Sequence, residues 1–203
     1  MDLDEVVRRR RMTRRFDPRP VDETTLGRVL RALAHLPSAG FAQGVEALVL
    51  TSVEARGRFW GAASSAAWRE GSTQAAGLLA APVVVVPVGD PAAYVARYGE
   101  ADKAGSGLAG VPPAGWDVPY WLVDTSFAVH ALLLSAEAEG LGALFFRLHG
   151  PGDAVLGALG VPPGREAVGA LALGYRAADE RPSGSPRRRG RRALDALVHR
   201  DGW

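Results

Sequence analysis

The stretch YWLVDTSFAVHALLLSAEAEGLG, residues 120–142, sets the architecture of this chain. Its apolar residues recur at helical spacing, which predicts a helix from Tyr120 to Glu139. Gly140 fits the position just beyond a helix end, where glycine is favoured. We expect this helix to be the buried spine of the fold. His130 lies within it and is predicted to be a hydrogen-bonded core residue rather than a ligand.

Helices and strands alternate on both sides of this spine. The run Val83 to Val88 is β-branched and continuous, which is typical of a central strand covered on both faces. The connection Gly99 to Gly115 has no apolar periodicity and is expected to be a mobile lid. The other predicted strands are Val45–Leu50, Gly142–Leu148 and Ala167–Tyr175. The other predicted helices are the first dozen residues with Arg8–Arg11 in their last turn, Asp22 to Pro37, Ser52 through Trp60, Thr73–Ala81, a short helix from Asp90, and Asp153–Leu159.

Composition limits the class of protein. With 203 residues, 47% hydrophobic and 23% charged, residues 1–203 are expected to form a single domain, with an exposed Arg-rich arm at about 181–192. The chain has no cysteine, so redox chemistry requires a cofactor rather than a thiol. Acidic Asp2 and Asp4 do not suit a signal peptide, and residues 80–88 are too short to span a bilayer. We expect a cytoplasmic location and no membrane partner.

Two arginine clusters lie near opposite ends of the chain. Residues 8–11, 14 and 15 form the first, and residues 187–189, 191 and 192 form the second. Arginine binds phosphate bidentately and keeps its charge at any working pH, so the clusters indicate a phosphate-bearing cofactor held between them. The formal net charge is only +2, and the two clusters are distant in sequence. Nucleic acid is therefore not an expected partner, and no spacing supports a metal site.

Four motifs occur in order along the chain: RRMTRRFDPRPV at 10–21, PSAGFAQ at 37–43, EGLGALFF at 139–146 and RRALD at 191–195. In this respect the chain resembles the flavin-dependent nitroreductase family. The resemblance implies an α+β fold with a mixed, mainly antiparallel sheet wrapped by helices, assembled as an intertwined homodimer with two interface sites. It also implies reduction of a small planar acceptor, of nitroaromatic or quinone type, by FMN with NADH or NADPH in a ping-pong cycle. The flavin carries that chemistry, so no catalytic side chain is expected.

The resemblance also implies which residues contact the cofactor. The phosphate would lie against the first cluster and a C-terminal arginine, and the charge of Arg14 would stabilise the reduced flavin. A small-residue loop would touch the flavin from the neighbouring subunit, and backbone amides at a strand end would face flavin N5. These cofactor residues are Arg10, Arg11, Met12, Arg14, Ser38, Ala39, Gly40, Phe146, Arg147, Leu148, Arg191 and Arg192. For Arg8, Arg9 and Arg15 a solvated basic face is the preferred interpretation.

The chain departs from the family pattern at several positions. Phe41 replaces an Asn, Gly44-Val45 replaces Pro-Trp, and Met12 replaces a Ser; the changes at Phe41 and Met12 remove groups that would bond the cofactor. These changes keep two alternatives open: a degenerate flavin- or deazaflavin-binding protein without turnover, and a flavin-consuming branch of the family. Arg147 either lies across the flavin face, where it would select an anionic substrate or the extra phosphate of NADPH, or points to solvent. His149 is either a proton donor or a surface residue. Expected substrate contacts are Phe41, Tyr120 and Trp121.

Overall fold

The structure is a computed structural model that describes residues 2–149 and 152–203. Within these ranges the helices are α1 Leu3–Arg9, α2 Glu23–Leu30, α3 Val53–Ala63, α4 Ala66–Gly71, α5 Thr73–Leu79, α6 Pro91–Tyr98, α7 Tyr120–Ala138, α8 Gly152–Ala158 and α9 Gly184–Arg189. The strands are β1 Val45–Leu50, β2 Val83–Gly89, β3 Gly142–Phe146 and β4 Ala170–Gly174. Short 3-10 helices occupy Arg31–His35, Ala39–Phe41, Ala101–Ser106, Pro113–Gly115 and Leu194–Ala196. No described helix combines the length and the apolar character needed to cross a membrane.

The four strands form one sheet in the order β1-β2-β4-β3, and every neighbouring pair is antiparallel. In the β2–β4 pair, Val85 lies opposite Leu171. β2 is thus an interior strand, as its β-branched sequence predicted. The α+β class and the antiparallel sheet are confirmed.

Each face of the sheet carries its own apolar layer. Val84 and Val86 pack on one side with Phe59 of α3. Val83 and Val85 point to the other side, where the layer includes Leu132 of α7. Successive side chains of a strand point to opposite faces, so an interior strand with both faces covered needs apolar residues throughout. All residues of β2 are accordingly buried.

The predicted helix starts are confirmed by their caps. Asp22 accepts a hydrogen bond from the backbone N–H of Thr25 at 2.9 Å, and this bond lowers the pKa of the Asp22 carboxyl below its ordinary value. Ser52 caps α3 by accepting from the N–H of Ala55 at 3.1 Å. Asp90 caps α6 in the same way. Such caps satisfy backbone donors that have no partner within the helix.

Several sequence predictions need correction. α1 ends at Arg9, not after residue 11, because the chain leaves helical geometry at Arg10 and then pairs with β3. β3 ends at Phe146 rather than residue 148. The Arg-rich arm contains α9, which its composition did not indicate. His130 was predicted to be in the core but is exposed in this chain.

Candidate functional site

The segment that follows α1 is fixed beside the start of β3. The backbone N–H of Thr13 donates to the carbonyl of Ala143 at 2.8 Å, and the N–H of Phe16 donates to the carbonyl of Gly77 in α5 at 3.1 Å. Gly142 makes the first contact possible, because a Cβ there would lie 2.6 Å from the Thr13 hydroxyl oxygen. The second half of the first arginine cluster is therefore held in extended form between β3 and α5.

Glu180 organises this segment. Its side chain is 3% exposed, and one carboxylate oxygen accepts from Nη1 of Arg11 at 3.0 Å. The backbone N–H groups of Arg14 and Arg15 donate to the same carboxylate at 3.3 and 3.0 Å. Sequence reasoning missed Glu180, because it lies more than 160 residues away and belongs to no motif.

Arg10 differs from its neighbour. Its Nη1 atom is buried, and it donates to no acceptor in the described part of the chain. Leaving a buried charged donor without a partner is costly, so such a group indicates a place for an anion. Arg11 is paired with Glu180, so of these two arginines Arg10 is the one with a buried donor that has no acceptor among the described residues.

The loop from Ser38 to Gly44 is held at the other end of α7. Asp124, which is 2% exposed, accepts from the backbone N–H of Ala39 at 2.9 Å and from the hydroxyl of Tyr94 at 2.6 Å. Burial and the hydrogen bond to Asp124 raise the pKa of Tyr94 above its ordinary value. These contacts show that Asp124 positions the Ser38–Gly44 loop.

The same loop holds a phenylalanine in an unfavourable conformation. Phe41 has φ 61°, in the left-handed region, and its side chain is 70% exposed. This conformation costs a residue with a Cβ about 1–2 kcal/mol. Arg97 stabilises it, since its Nε donates to the carbonyl of Gly40 at 2.7 Å. Backbone strain of this kind clusters at functional sites, which makes Phe41 a candidate contact residue.

Packed apolar residues and exposed basic residues alternate at the end of β3. The ring of Phe146 stacks on Trp60 of α3, with centroids 5.3 Å apart and planes tilted by 16°. Leu148 is buried, while Arg147 and His149 are exposed. The strand advances about 3.3 Å per residue, which puts Arg147 about 13 Å along β3 from the Thr13 contact at Ala143. The arginine segment and the strand end thus lie at the two ends of β3.

The aromatic residues near the start of α7 form a cluster behind the Ser38–Gly44 loop. Trp121 is buried against Tyr94 and Trp116, with ring centroids 6.4 and 5.9 Å away. Tyr120 is half-buried and lies parallel to Tyr98 at 6.4 Å. Within one chain, Tyr120 is therefore more accessible to a substrate than Trp121.

The C-terminal arginines are not brought to the first cluster within one chain. Arg191 and Arg192 are exposed, and Arg192 donates to the carbonyl of Ala196 in its own segment. The hydrogen bonds found for the described residues from 183 onward all stay within that segment. Leu194 and Trp203 are also largely exposed there. The tail therefore stands away from the body of this chain.

The Ser38–Gly44 loop and the arginine segment lie at opposite ends of α7. Asp124 holds the loop near the helix start, whereas Glu137, near the helix end, lies 3.7 Å from Nε of Arg9. At a rise of about 1.5 Å per residue, these two carboxylates are about 20 Å apart. One chain therefore does not bring the two predicted halves of the site together. Among the described residues there is also no cluster that could hold a metal ion.

The sequence profile described as "Nitroreductase family" matches residues 7–175. This chain belongs to the nitroreductase family. The match includes the first arginine cluster, the Ser38–Gly44 loop, α7 and the whole sheet. A search of curated proteins gives no match.

Solved structures share the fold at low sequence identity. A putative nitroreductase from Bacillus subtilis is 18% identical with a TM-score of 0.72, and the alignment covers 97% of each chain. A putative NADH oxidase from Clostridium acetobutylicum is 18% identical with a TM-score of 0.68, covering 98% of this chain and 99% of that one. A putative nitroreductase from Exiguobacterium sibiricum, in complex with FMN, is 20% identical with a TM-score of 0.72, covering 99% and 98%.

Proposed function

We propose that this protein is an FMN-dependent oxidoreductase that reduces a small planar acceptor, of nitroaromatic or quinone type, with NADH or NADPH. The observation that carries the proposal is the buried Nη1 of Arg10, which has no acceptor among the described residues. FMN bears a phosphate that would pair with this guanidinium. The Exiguobacterium sibiricum relative, a complex with FMN, supports the same cofactor.

The site would be completed by a second copy of the chain. The arginine segment and the loop at Ser38–Gly44 are separated by the length of α7, about 20 Å. If two α7 helices pack antiparallel about a two-fold axis, the loop of one subunit approaches the arginine segment of its partner. A closed two-fold arrangement forms two such sites.

The surface of α7 supports this pairing. Val123, Phe127, His130 and Leu134 are spaced to lie along one side of the helix, and each is at least partly exposed. Phe127 alone is 45% exposed in this chain. A helix that is apolar on its outer side as well as its inner side is normally covered on both. The exposed tail, which carries Arg191 and Arg192, is free to lie on the partner.

When bound, FMN supplies the hydride chemistry, and the protein supplies position and charge. Arg10 would hold the phosphate, with Arg191 or Arg192 as its second cation. Arg14 would add positive charge beside the flavin pyrimidine. The backbone at Arg147 and Leu148, together with Met12, would complete the cofactor contacts from this chain.

The acceptor would be held by residues from both subunits. Ser38, Ala39 and Gly40 would approach the cofactor from the partner, where their small side chains permit close contact. Phe41 and Tyr120 offer aromatic faces on which a planar acceptor would stack. The hydrogen bonds of Asp124 and Arg97 would keep this loop in place without the acceptor.

The visible absorption spectrum of the purified protein tests the proposal. We expect a yellow protein that is bleached by NADPH without oxygen, and an Arg10→Ala variant that loses flavin. Arg8→Ala is the matched control, because Arg8 is exposed on α1. Equal flavin occupancy in both variants would contradict the role of Arg10. A Phe127→Glu variant should be monomeric in sedimentation and should also lose flavin.

A second candidate is a flavin-binding protein without turnover. Phe41, fixed outward in a strained conformation, replaces an amide that would bond the cofactor. In that case a yellow protein would remain unbleached by either NADH or NADPH. The same spectrum therefore separates the two candidates.

A further inference from the structure

A cavity of about 420 Å³ lies where the ends of α3 and β3 meet α4. Three aromatic residues, Trp60, Trp68 and Phe146, line it together with the smaller apolar side chains of Ala63 and Leu78. Trp60 stacks on Phe146, and the Trp68 ring lies 6.1 Å from that of Trp60 at a tilt of 31°. The volume falls in the range of about 300–1,000 Å³ that small-molecule sites occupy.

One polar group of this wall has no partner. Trp60 is 5% exposed, and its indole N–H donates to no acceptor in the described ranges. The neighbouring polar groups are satisfied internally: the Ser64 hydroxyl donates to the Trp60 carbonyl at 2.6 Å, and Nη1 of Arg69 donates to the Ser64 carbonyl, also at 2.6 Å. A buried indole N–H normally finds an acceptor, so this donor points to a ligand with a hydrogen-bond acceptor.

The rim of the cavity adds positive charge. Arg147 and His149 line it and are exposed to solvent. No described lining residue is acidic. The arginine is charged at any working pH and matches a carboxylate with two parallel hydrogen bonds. Stacking surfaces, a buried donor and a cationic rim thus occur in one cavity.

We infer that this cavity binds a planar aromatic carboxylate. The ring would pack against the aromatic wall of the cavity, and the carboxylate would accept from the Trp60 indole and the Arg147 guanidinium. The inference rests on the cavity alone and does not depend on the proposed flavin chemistry. The side chain of Arg147 would then bind the carboxylate. The flavin would contact only the backbone of Arg147.

Isothermal titration calorimetry with 2-naphthoate tests this site on the full chain, before and after saturation with FMN. We expect 2-naphthoate to bind in both states and the neutral 2-naphthamide to bind roughly tenfold more weakly. Trp60→Phe keeps the aromatic wall but removes the indole N–H donor, and should weaken the binding of 2-naphthoate roughly tenfold. Arg147→Gln should do the same, while Arg58→Gln, at an exposed position of α3, should have no effect.

Three results would overturn the inference: equal affinity for the acid and the amide, no binding of either, or displacement of 2-naphthoate by FMN. The last result would make the cavity part of the flavin site. Unfolding curves of Trp60→Phe establish that it is folded, and Arg147→Gln tests the same contact without altering the core. Loss of flavin binding in the Arg10→Ala variant would leave each of these outcomes unchanged.

Discussion

Replacement of Glu180 by Ala would test what holds the arginine segment in place. Three donors converge on this carboxylate: the Arg11 guanidinium at 3.0 Å, and the backbone N–H groups of Arg14 and Arg15 at 3.3 and 3.0 Å. Without the carboxylate, the two backbone N–H groups and the Arg11 guanidinium lose their common acceptor. No other described residue takes its place in these contacts.

The expected loss follows from these contacts. Breaking a buried ion pair by removing one partner costs about 3–5 kcal/mol. The Arg11 side chain is 32% exposed, so water replaces part of its contact and the lower end applies. We therefore expect Glu180→Ala to lower the free energy of unfolding by about 3 kcal/mol. For a chain of this size that corresponds to a fall in Tm of about 6–12 °C.

Urea and thermal unfolding followed by circular dichroism measure this loss. Asp179→Ala is the matched control, because the Asp179–Arg15 pair has side chains that are 62% and 48% exposed. Exposed pairs contribute about 0–1 kcal/mol, so the control should unfold close to the parent. If Glu180→Ala also unfolded within about 1 kcal/mol of the parent, the buried carboxylate would not be what fixes this segment.

Three further changes have expected outcomes in the same unfolding assay. Tyr94→Phe removes a donor to Asp124 and should cost about 1.5–3 kcal/mol. The pKa of Tyr94 is raised in the folded state. The contribution of its hydroxyl to the free energy of unfolding is therefore complete below about pH 10 and is lost as the pH rises above that value. Phe41→Gly relieves the left-handed conformation and should stabilise the chain by up to about 1 kcal/mol. Gly142→Ala forces a Cβ against Thr13 and should cost about 1–3 kcal/mol.

Each of these changes has its own check. The Tyr94→Phe variant should show a smaller decline in stability above pH 10 than the parent, because the pKa of Tyr98 is also raised by burial; an unchanged decline would assign it to another group. Gly57→Ala, in α3 with no atom near its added Cβ, should stabilise by about 0.5–1 kcal/mol, in contrast to Gly142→Ala. Val53 lies at an exposed helical position, so Val53→Gly should destabilise the chain, whereas Phe41→Gly should not.

The fold was predictable because its signals are local. β2 is apolar throughout since both of its faces are covered, and α7 is predominantly apolar over its whole length. Caps at Asp22 and Ser52 fixed helix starts to within a residue. The errors fall where tertiary contacts compete with local preference. α1 stops at Arg9 because the next residues pair with β3, an interaction that no local pattern contains.

Positioning residues of the candidate site were not predictable for the same reason. Asp124 reaches a loop 85 residues away in sequence, and its role depends on the distance between its carboxylate and the Ala39 N–H. By sequence Trp60 is an ordinary helical core residue, and what distinguishes it is an unpartnered indole N–H in a residue that lines a cavity. In both cases the residue type was compatible with a core role, and the chemistry appears only once the neighbours are placed.

The two adjacent arginines at 10 and 11 show how far sequence reasoning could go. Both belong to one motif and have identical chemistry, so the sequence assigned both to a phosphate. The fold separates them, since Glu180 pairs with Arg11 while the Nη1 atom of Arg10 is buried without an acceptor. A charge that is already paired inside the chain has less to gain from a ligand than one with a buried donor that has no acceptor. Arg10→Ala should therefore reduce flavin affinity, whereas Arg11→Ala should chiefly reduce stability.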